Sequence, residues 1–351
     1  MAPPRATARL FCLIGVLVTS CTGAAPPPPS HPPPPLPGEL LSVTSDQTAS
    51  SLVRYRPADA SSATIDSPID PEAVNRSTVA GVSTAEGSLF VAVNTRTLQA
   101  YALPAGTTQV EELGPALGVR ARQEPSVQIS EVGAVVATCD EVQVLPLPAA
   151  DGWRSLGPGC WAALDPSGSR VAVVSAGGHV LLHELEGGGT PSLLFDLSDL
   201  AAALGTDVPA QLIGVPSWGP QGLAFFVRAG DQLGVFVRED SGTLVEVLQE
   251  RYTNVYRVPR LAWQPGGTML AISDDVGPNP AVLRVFDTAT GDLRALSMFP
   301  VGYAGMQWAP DGSSLAVLTG TGVLLAVDLD GAWLLHRQTD WRELLAWQAA
   351  S

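Results

Sequence analysis

The chain has 351 residues, nearly half of them apolar, with few charges and a formal net charge of −15. An acidic surface argues against nucleic acid and bare anionic membrane as partners, since both are polyanions. All 19 basic residues are arginine, which excludes Schiff-base, P-loop-lysine and lysine general-base chemistry.

Residues 1–20 read as a lipoprotein signal peptide. Arg5 and Arg9 form a basic start, Leu10 to Val18 is an apolar core too short to span a bilayer, and Val18-Thr19-Ser20-Cys21 follows. That tetrapeptide resembles a bacterial lipobox. The resemblance implies cleavage before Cys21, a diacylglyceryl group on its sulfur, and a further acyl chain such as palmitate on the new amino end. It also implies an address on the non-cytoplasmic side of a bacterial cell membrane or outer membrane. An ordinary signal peptide with an incidental cysteine is the alternative. Loss of the leader with its two arginines takes the net charge to about −17.

Residues 21–37 are the lipidated cysteine and a tether. The run TGAAPPPPSHPPPPLP at 22–37 cannot pack a core and is expected as polyproline II. At about 3.1 Å per residue it reaches roughly 50 Å. A Pro-rich recognition ligand is the sharper alternative for the same segment.

Residues 38–351 carry a glycine returning about every 45 residues, each time four places after a bulky or apolar residue and just before an alternating apolar run. The clearest copies are Trp218-Gly-Pro-Gln-Gly222, Trp263-Gln-Pro-Gly-Gly267 and Trp308-Ala-Pro-Asp-Gly312, with weaker ones at Gly87, Gly133 and Gly168. Each copy predicts an inner strand ending in the aromatic, a tight turn and a second strand, which makes each repeat one blade of an all-β propeller. A further copy is split between the chain ends. Gly38 to Val43, Leu52 to Arg56 and Ala63 to Asp66 supply second, third and outer strands, and Glu343 to Gln348 supplies the missing inner one. The prediction is a seven-bladed ring closed by pairing of N- and C-terminal strands, so that no sheet edge is left free there. Six blades, with both terminal segments loose, is the alternative.

The alternation of Trp, Pro, Asp and Gly with LAV around Trp218, Trp263 and Trp308 resembles the WD40-like PD40 repeats of the TolB C-terminal propeller and related exported propellers. Asp165-Pro166-Ser167-Gly168 is a partial match without the aromatic. The resemblance implies the fold over 39–351. It leaves function open, because some such propellers bind partners and others are enzymes.

Two cysteines fall in the propeller. Cys139 ends the second strand of blade two and Cys160 begins the inner strand of blade three, so an oxidising compartment would let them form a disulfide; two buried free thiols are the alternative. An insertion at Asp196 to Val208 contains a short helical stretch, SDLAAALG, either a lid or a tolerated excursion. His179 and His183 share a strand face but are too far apart to chelate one zinc, since even alternate strand residues are separated by about 6 to 7 Å. Asp328-Leu-Asp330-Gly331 has a fragment of calcium-loop spacing at a hairpin where Asp and Gly serve the turn.

One rim combines cations, aromatics and acids. Arg251, Tyr252, Tyr256, Arg257 and Arg260 approach blade five, Asp274 and Asp275 lie in its rim turn, and Tyr303 enters blade six. Arg and Tyr are the residues most able to form contact hot spots, so this rim is the candidate partner or ligand site; ordinary solvated loop charge is the alternative. No HExxH, CxxC or GxSxG occurs, so no catalytic residues, metal ligands or cofactor are assigned. Two functional classes remain. One is a lipid-anchored cell-envelope scaffold or sensor binding an envelope protein or peptide, or a small acidic ligand. The other is a hydrolase or lactonase of the propeller type, using carboxylates such as Asp274 and Asp275 with a divalent metal.

Overall fold

The computed structural model describes residues 36, 38–45, 49–69, 79–93, 97–118, 125–148, 152–251, 259–274, 281–299 and 303–349. The chain divides near Pro33, and every described residue belongs to the unit 33–351.

These residues form seven four-stranded antiparallel sheets. Blade one is β4 (Val79–Thr84), β5 (Gly87–Val93), β6 (Thr97–Pro104) and β7 (Glu111–Gly118), and blade two is β8 (Ser126–Ser130), β9 (Gly133–Ala137), β10 (Val142–Pro146) and β11 (Arg154–Gly157). Blade three is β12 (Trp161–Leu164), β13 (Arg170–Val174), β14 (His179–Glu184) and β15 (Ser192–Asp196), followed by a helix that we call α1 (Leu197–Ala203). Blade four is β16 (Gln211–Gly219), β17 (Gly222–Ala229), β18 (Gln232–Arg238) and β19 (Leu244–Arg251). Blade five is β20 (Arg260–Trp263), β21 (Met269–Asp274), β22 (Ala281–Asp287) and β23 (Asp292–Phe299), and blade six is β24 (Tyr303–Trp308), β25 (Ser314–Thr319), β26 (Val323–Asp328) and β27 (Trp333–Gln338).

Blade seven takes β28 (Trp341–Gln348) as its inner strand and β1 (Glu39–Ser45), β2 (Ser50–Arg56) and β3 (Ser61–Asp66) as the rest. Leu40 pairs with Trp347 and Leu41 with Ala346, and the register shifts twice further along the ladder. The ring is therefore closed by the two ends of the chain, as the split repeat predicts. Every inner strand also touches the inner strands of both neighbouring blades, from β28 to β4 and round to β24 and back to β28.

The core is distributed as seven clusters, one between each pair of adjacent blades. This explains why the second strands are apolar without alternation: neighbouring side chains point to opposite faces, and both faces are covered. On β9, Val135 enters the core shared with blade three while Val136 enters the core shared with blade one. On β21, Ala271 faces blade six and Leu270 and Ile272 face blade four.

The repeated tryptophans tie blade to blade as well as filling space. Trp263 Nε1 donates to the carbonyl of Ser217 at 3.0 Å, and Trp308 Nε1 donates to that of Ala262 at the same distance. Blade three, which lacks the aromatic, uses another device. Asp165 is buried and accepts from the backbone N–H groups of Ser169 and Arg170 at 2.9 Å each, from Ser167 Oγ at 2.7 Å and from Arg170 Nε at 3.1 Å. Arg170 in turn lies over the Trp218 ring of blade four, 5.0 Å from its centroid. Burial disfavours the Asp165 carboxylate, but the bonds from Ser167 and Arg170 outweigh it and hold the carboxyl below its usual range.

Candidate functional site

A closed ring of inner strands leaves a channel along its axis, here a cavity of about 780 Å³. All seven blades contribute to its wall, through segments such as Val79–Ala85, Pro125–Val132, Val215–Pro220, Pro259–Gly266 and Met306–Trp308, with Glu343 and Trp347 from β28. The wall mixes indoles with amides. Trp161, Trp218 and Trp263 line it in half-buried positions beside Gln128 and Gln307. The amides brace neighbouring blades: Gln128 accepts from the Leu164 N–H at 3.1 Å, and Gln307 Nε2 donates to the Leu345 carbonyl at 2.9 Å.

The charged centre of the channel is an ion pair between Arg260, at the start of β20, and Glu343 on β28. Arg260 Nη1 donates to Glu343 Oε1 at 2.8 Å and Nη2 to Oε2 at 3.2 Å, a two-point fork. The pair joins blades five and seven, skipping blade six. Gly305 of β24 opens the way: a Cβ there would stand 3.3 Å from Glu343 Oε1 and within 2.9 Å of the Leu344 backbone nitrogen. Gly81 of β4 performs the same service on the other side of β28, where a Cβ would meet the Leu345 carbonyl at 2.7 Å.

The two partners differ in burial. The Glu343 side chain is 3% exposed and that of Arg260 is 35% exposed. Burial pushes the Glu343 carboxyl up to about 7, with Arg260 opposing the rise.

The structure distributes the rim residues expected from the sequence. Arg260 lines the channel and pairs there with Glu343. Arg251 stays at the exposed end of β19, with Asp231 3.7 Å away. Tyr252, Tyr256, Arg257 and Asp275 lie outside the described residues, as does Cys21. Asp274 ends β21 and Tyr303 begins β24, and only their backbones are described. Glu343, Gly305, Gln128 and Gln307 were not expected. A carboxylate directly before the apolar run Leu344-Leu-Ala-Trp347 was the one available signal.

Beside this rim, α1 caps the edge between blades three and four, burying Leu197, Leu200 and Ala201. Its N-cap Asp196 accepts from the Ser198 N–H and also meets His179 Nδ1 at 2.7 Å. Cys139 and Cys160 are joined as a disulfide between blades two and three. The Cys139 N–H donates to the carbonyl of Gly159 across this junction, and the Cys160 N–H donates to that of Val174 within blade three. At the hairpin Asp328–Gly331, the Asp328 carboxylate accepts from the N–H groups of Asp330 and Ala332, so it organises a turn.

The described residues do not fit a divalent cation. No group of three or more His, Cys, Asp and Glu converges among them, and both oxygens of Glu343 already accept from a guanidinium. No described helix is long and apolar enough to cross a membrane.

No protein-family profile matches the chain, and no curated protein matches its sequence. Solved structures match its fold. A candidate 6-phosphogluconolactonase from Bacteroides uniformis superposes with a TM-score of 0.60 at 14% identity, covering 86% of this chain and 95% of that one. A protein from Lactobacillus plantarum gives 0.55 at 13%, over 88% and 99%. The periplasmic gluconolactonase of Pseudomonas aeruginosa gives 0.52 at 14%, over 86% and 95%. At these identities the likeness is one of fold.

Proposed function

We propose that this protein is a ligand-binding propeller of the bacterial cell envelope, tethered through Cys21 and binding its ligand in the central channel. The observation that carries the binding part is the Arg260–Glu343 pair facing a cavity of about 780 Å³, within the range typical of small-molecule sites. The lipobox-like segment and the proline-rich run support the tether. The PD40-like spacing around its tryptophans supports kinship with exported propellers. Fractionation of cells expressing wild type and Cys21→Ser tests the anchor: wild type should stay with the membrane and the variant should be released. Native mass spectrometry of the folded propeller after exposure to envelope extract tests the binding. A bound species retained by wild type and lost in Arg260→Gln supports the reading, and a propeller that retains nothing refutes it.

A lactonase is the second reading, favoured by the shared fold with the gluconolactonase of Pseudomonas aeruginosa. It requires a base and a water-activating group that the described channel residues do not assemble. Lactone hydrolysis by purified protein above the spontaneous rate, with and without added divalent metal, would put it first.

A further inference from the structure

We propose that Arg260 is the receptor for a ligand carboxylate in the channel, and that binding displaces Glu343 from the guanidinium and leaves Glu343 protonated. This rests on the channel-binding reading above and names the ligand class: a small monocarboxylate with a flat apolar body.

Three observations carry it. The first is the unequal burial of the pair, since both residues line the cavity but about a third of the Arg260 side chain is exposed while Glu343 is almost wholly buried. The second is geometric. The guanidinium already presents a two-point fork to a carboxylate, the arrangement that a ligand carboxylate would adopt in its place. The third is the wall, where Trp161, Trp218 and Trp263 offer indole surface for an apolar body.

Charge decides which state of the pair binds. With Glu343 ionised the pair is neutral and gives an incoming anion no net attraction. A proton on Glu343 leaves a neutral buried acid and an uncompensated cation. Burial prepares that switch by raising the carboxyl to about 7. Among the described residues nothing else charged faces Glu343. β4, β5 and β25 contain no ionisable residue, Glu39 at the far end of β1 pairs with Arg54 and Arg56, and Arg342 on β28 is exposed. On β24 the one ionisable residue is Tyr303, whose side chain is outside the description. The balance is simple: each ligand carboxylate that binds is accompanied by one proton taken from solvent onto a Glu343 oxygen, and no other bond is made or broken.

The test is calorimetric titration of the folded protein with benzoate, which is ionised throughout, and with neutral benzamide, at pH 6 and pH 8 and constant ionic strength. One proton linked to a group near 7 makes benzoate bind about tenfold more tightly at pH 6 than at pH 8, while benzamide shows no pH dependence. Glu343→Gln should bind benzoate equally at both pH values, near the wild-type strength at pH 6. Arg260→Gln should lose it at both. No benzoate binding by wild type at pH 6, or equal affinity at the two pH values, overturns the proposal even if neither variant folds. The tethered-propeller reading fails on different evidence, when Cys21→Ser fractionates like wild type and envelope extract yields no bound species.

Discussion

Ser42 Oγ donates to the backbone carbonyl of Glu343 at 2.6 Å, linking residues 301 positions apart in a fully buried bond. It lies in the ladder that joins β1 to β28, so the strand holding the channel carboxylate is also the strand that closes the ring.

Removal of residues from Trp341 onward should therefore abolish the folded monomer. Trp341, Leu344, Leu345 and Trp347 are all buried, and at about 1.5–3 kcal/mol for each such side chain their loss rivals the whole stability of an ordinary domain. The truncated protein should aggregate or melt far below wild type by light scattering and circular dichroism. An unchanged melting temperature would show that the closing ladder is dispensable.

Glu343 should impose a pH dependence on stability. Its carboxyl is raised from 4.5 to about 7 in the folded state, so the folded protein binds more protons than the unfolded chain between those values. The contribution is fully present below pH 4.5 and falls as pH rises towards 7, by about 3 kcal/mol. Urea unfolding at half-unit steps across that window should show the decline in wild type and its absence in Glu343→Gln. Parallel curves for the two proteins would remove Glu343 as the cause.

Gly305→Ala should destabilise through a clash that cannot relax cheaply, because the new Cβ would fall 2.8 Å from Leu344 Cβ and 2.9 Å from its nitrogen. About 1–3 kcal/mol is expected. Gly189→Ala, whose Cβ would meet nothing within 4 Å, should stay within about 0.5 kcal/mol of wild type. Equal melting temperatures for the two variants would contradict the close approach of β24 to β28.

The bond between Cys139 and Cys160 closes a loop over a separation of 21 residues. Unfolded, unreduced protein should offer neither of these thiols to alkylation in mass spectrometry. Reduction should cost about 3 kcal/mol and lower the melting temperature by roughly 5 °C. Alkylation of Cys139 and Cys160 before reduction would rule the bridge out.

The ring was legible in the sequence because its signals are local and recur. The turns after Trp218, Trp263 and Trp308 use left-handed glycine at Gly222, Gly266 and Gly312, and the missing inner strand near Gly38 is supplied by Glu343 to Gln348. The short helix after Asp196 was visible too, since SDLAAALG follows a capping residue. The channel centre was not legible. Arg260 and Glu343 are 83 positions apart and meet across an intervening blade, a relation with no local spacing. Read in sequence, Arg260 belongs to the rim with Arg251, whereas the fold turns it inward because Gly305 leaves a gap and Glu343 is buried behind it.

The closing ladder also dictates a timetable. β1 leaves the ribosome long before β28, its neighbour in blade seven. Blades one to six can complete their own sheets as they emerge, because each is a run of consecutive hairpins, but blade seven must wait until β28 has been made. Until Gln348 is available, every growing chain carries an unsatisfied edge on β1, open to pairing with another copy. Shelter for that edge is needed until β28 has been made, and the final turn of the ring is the step at which the need ends.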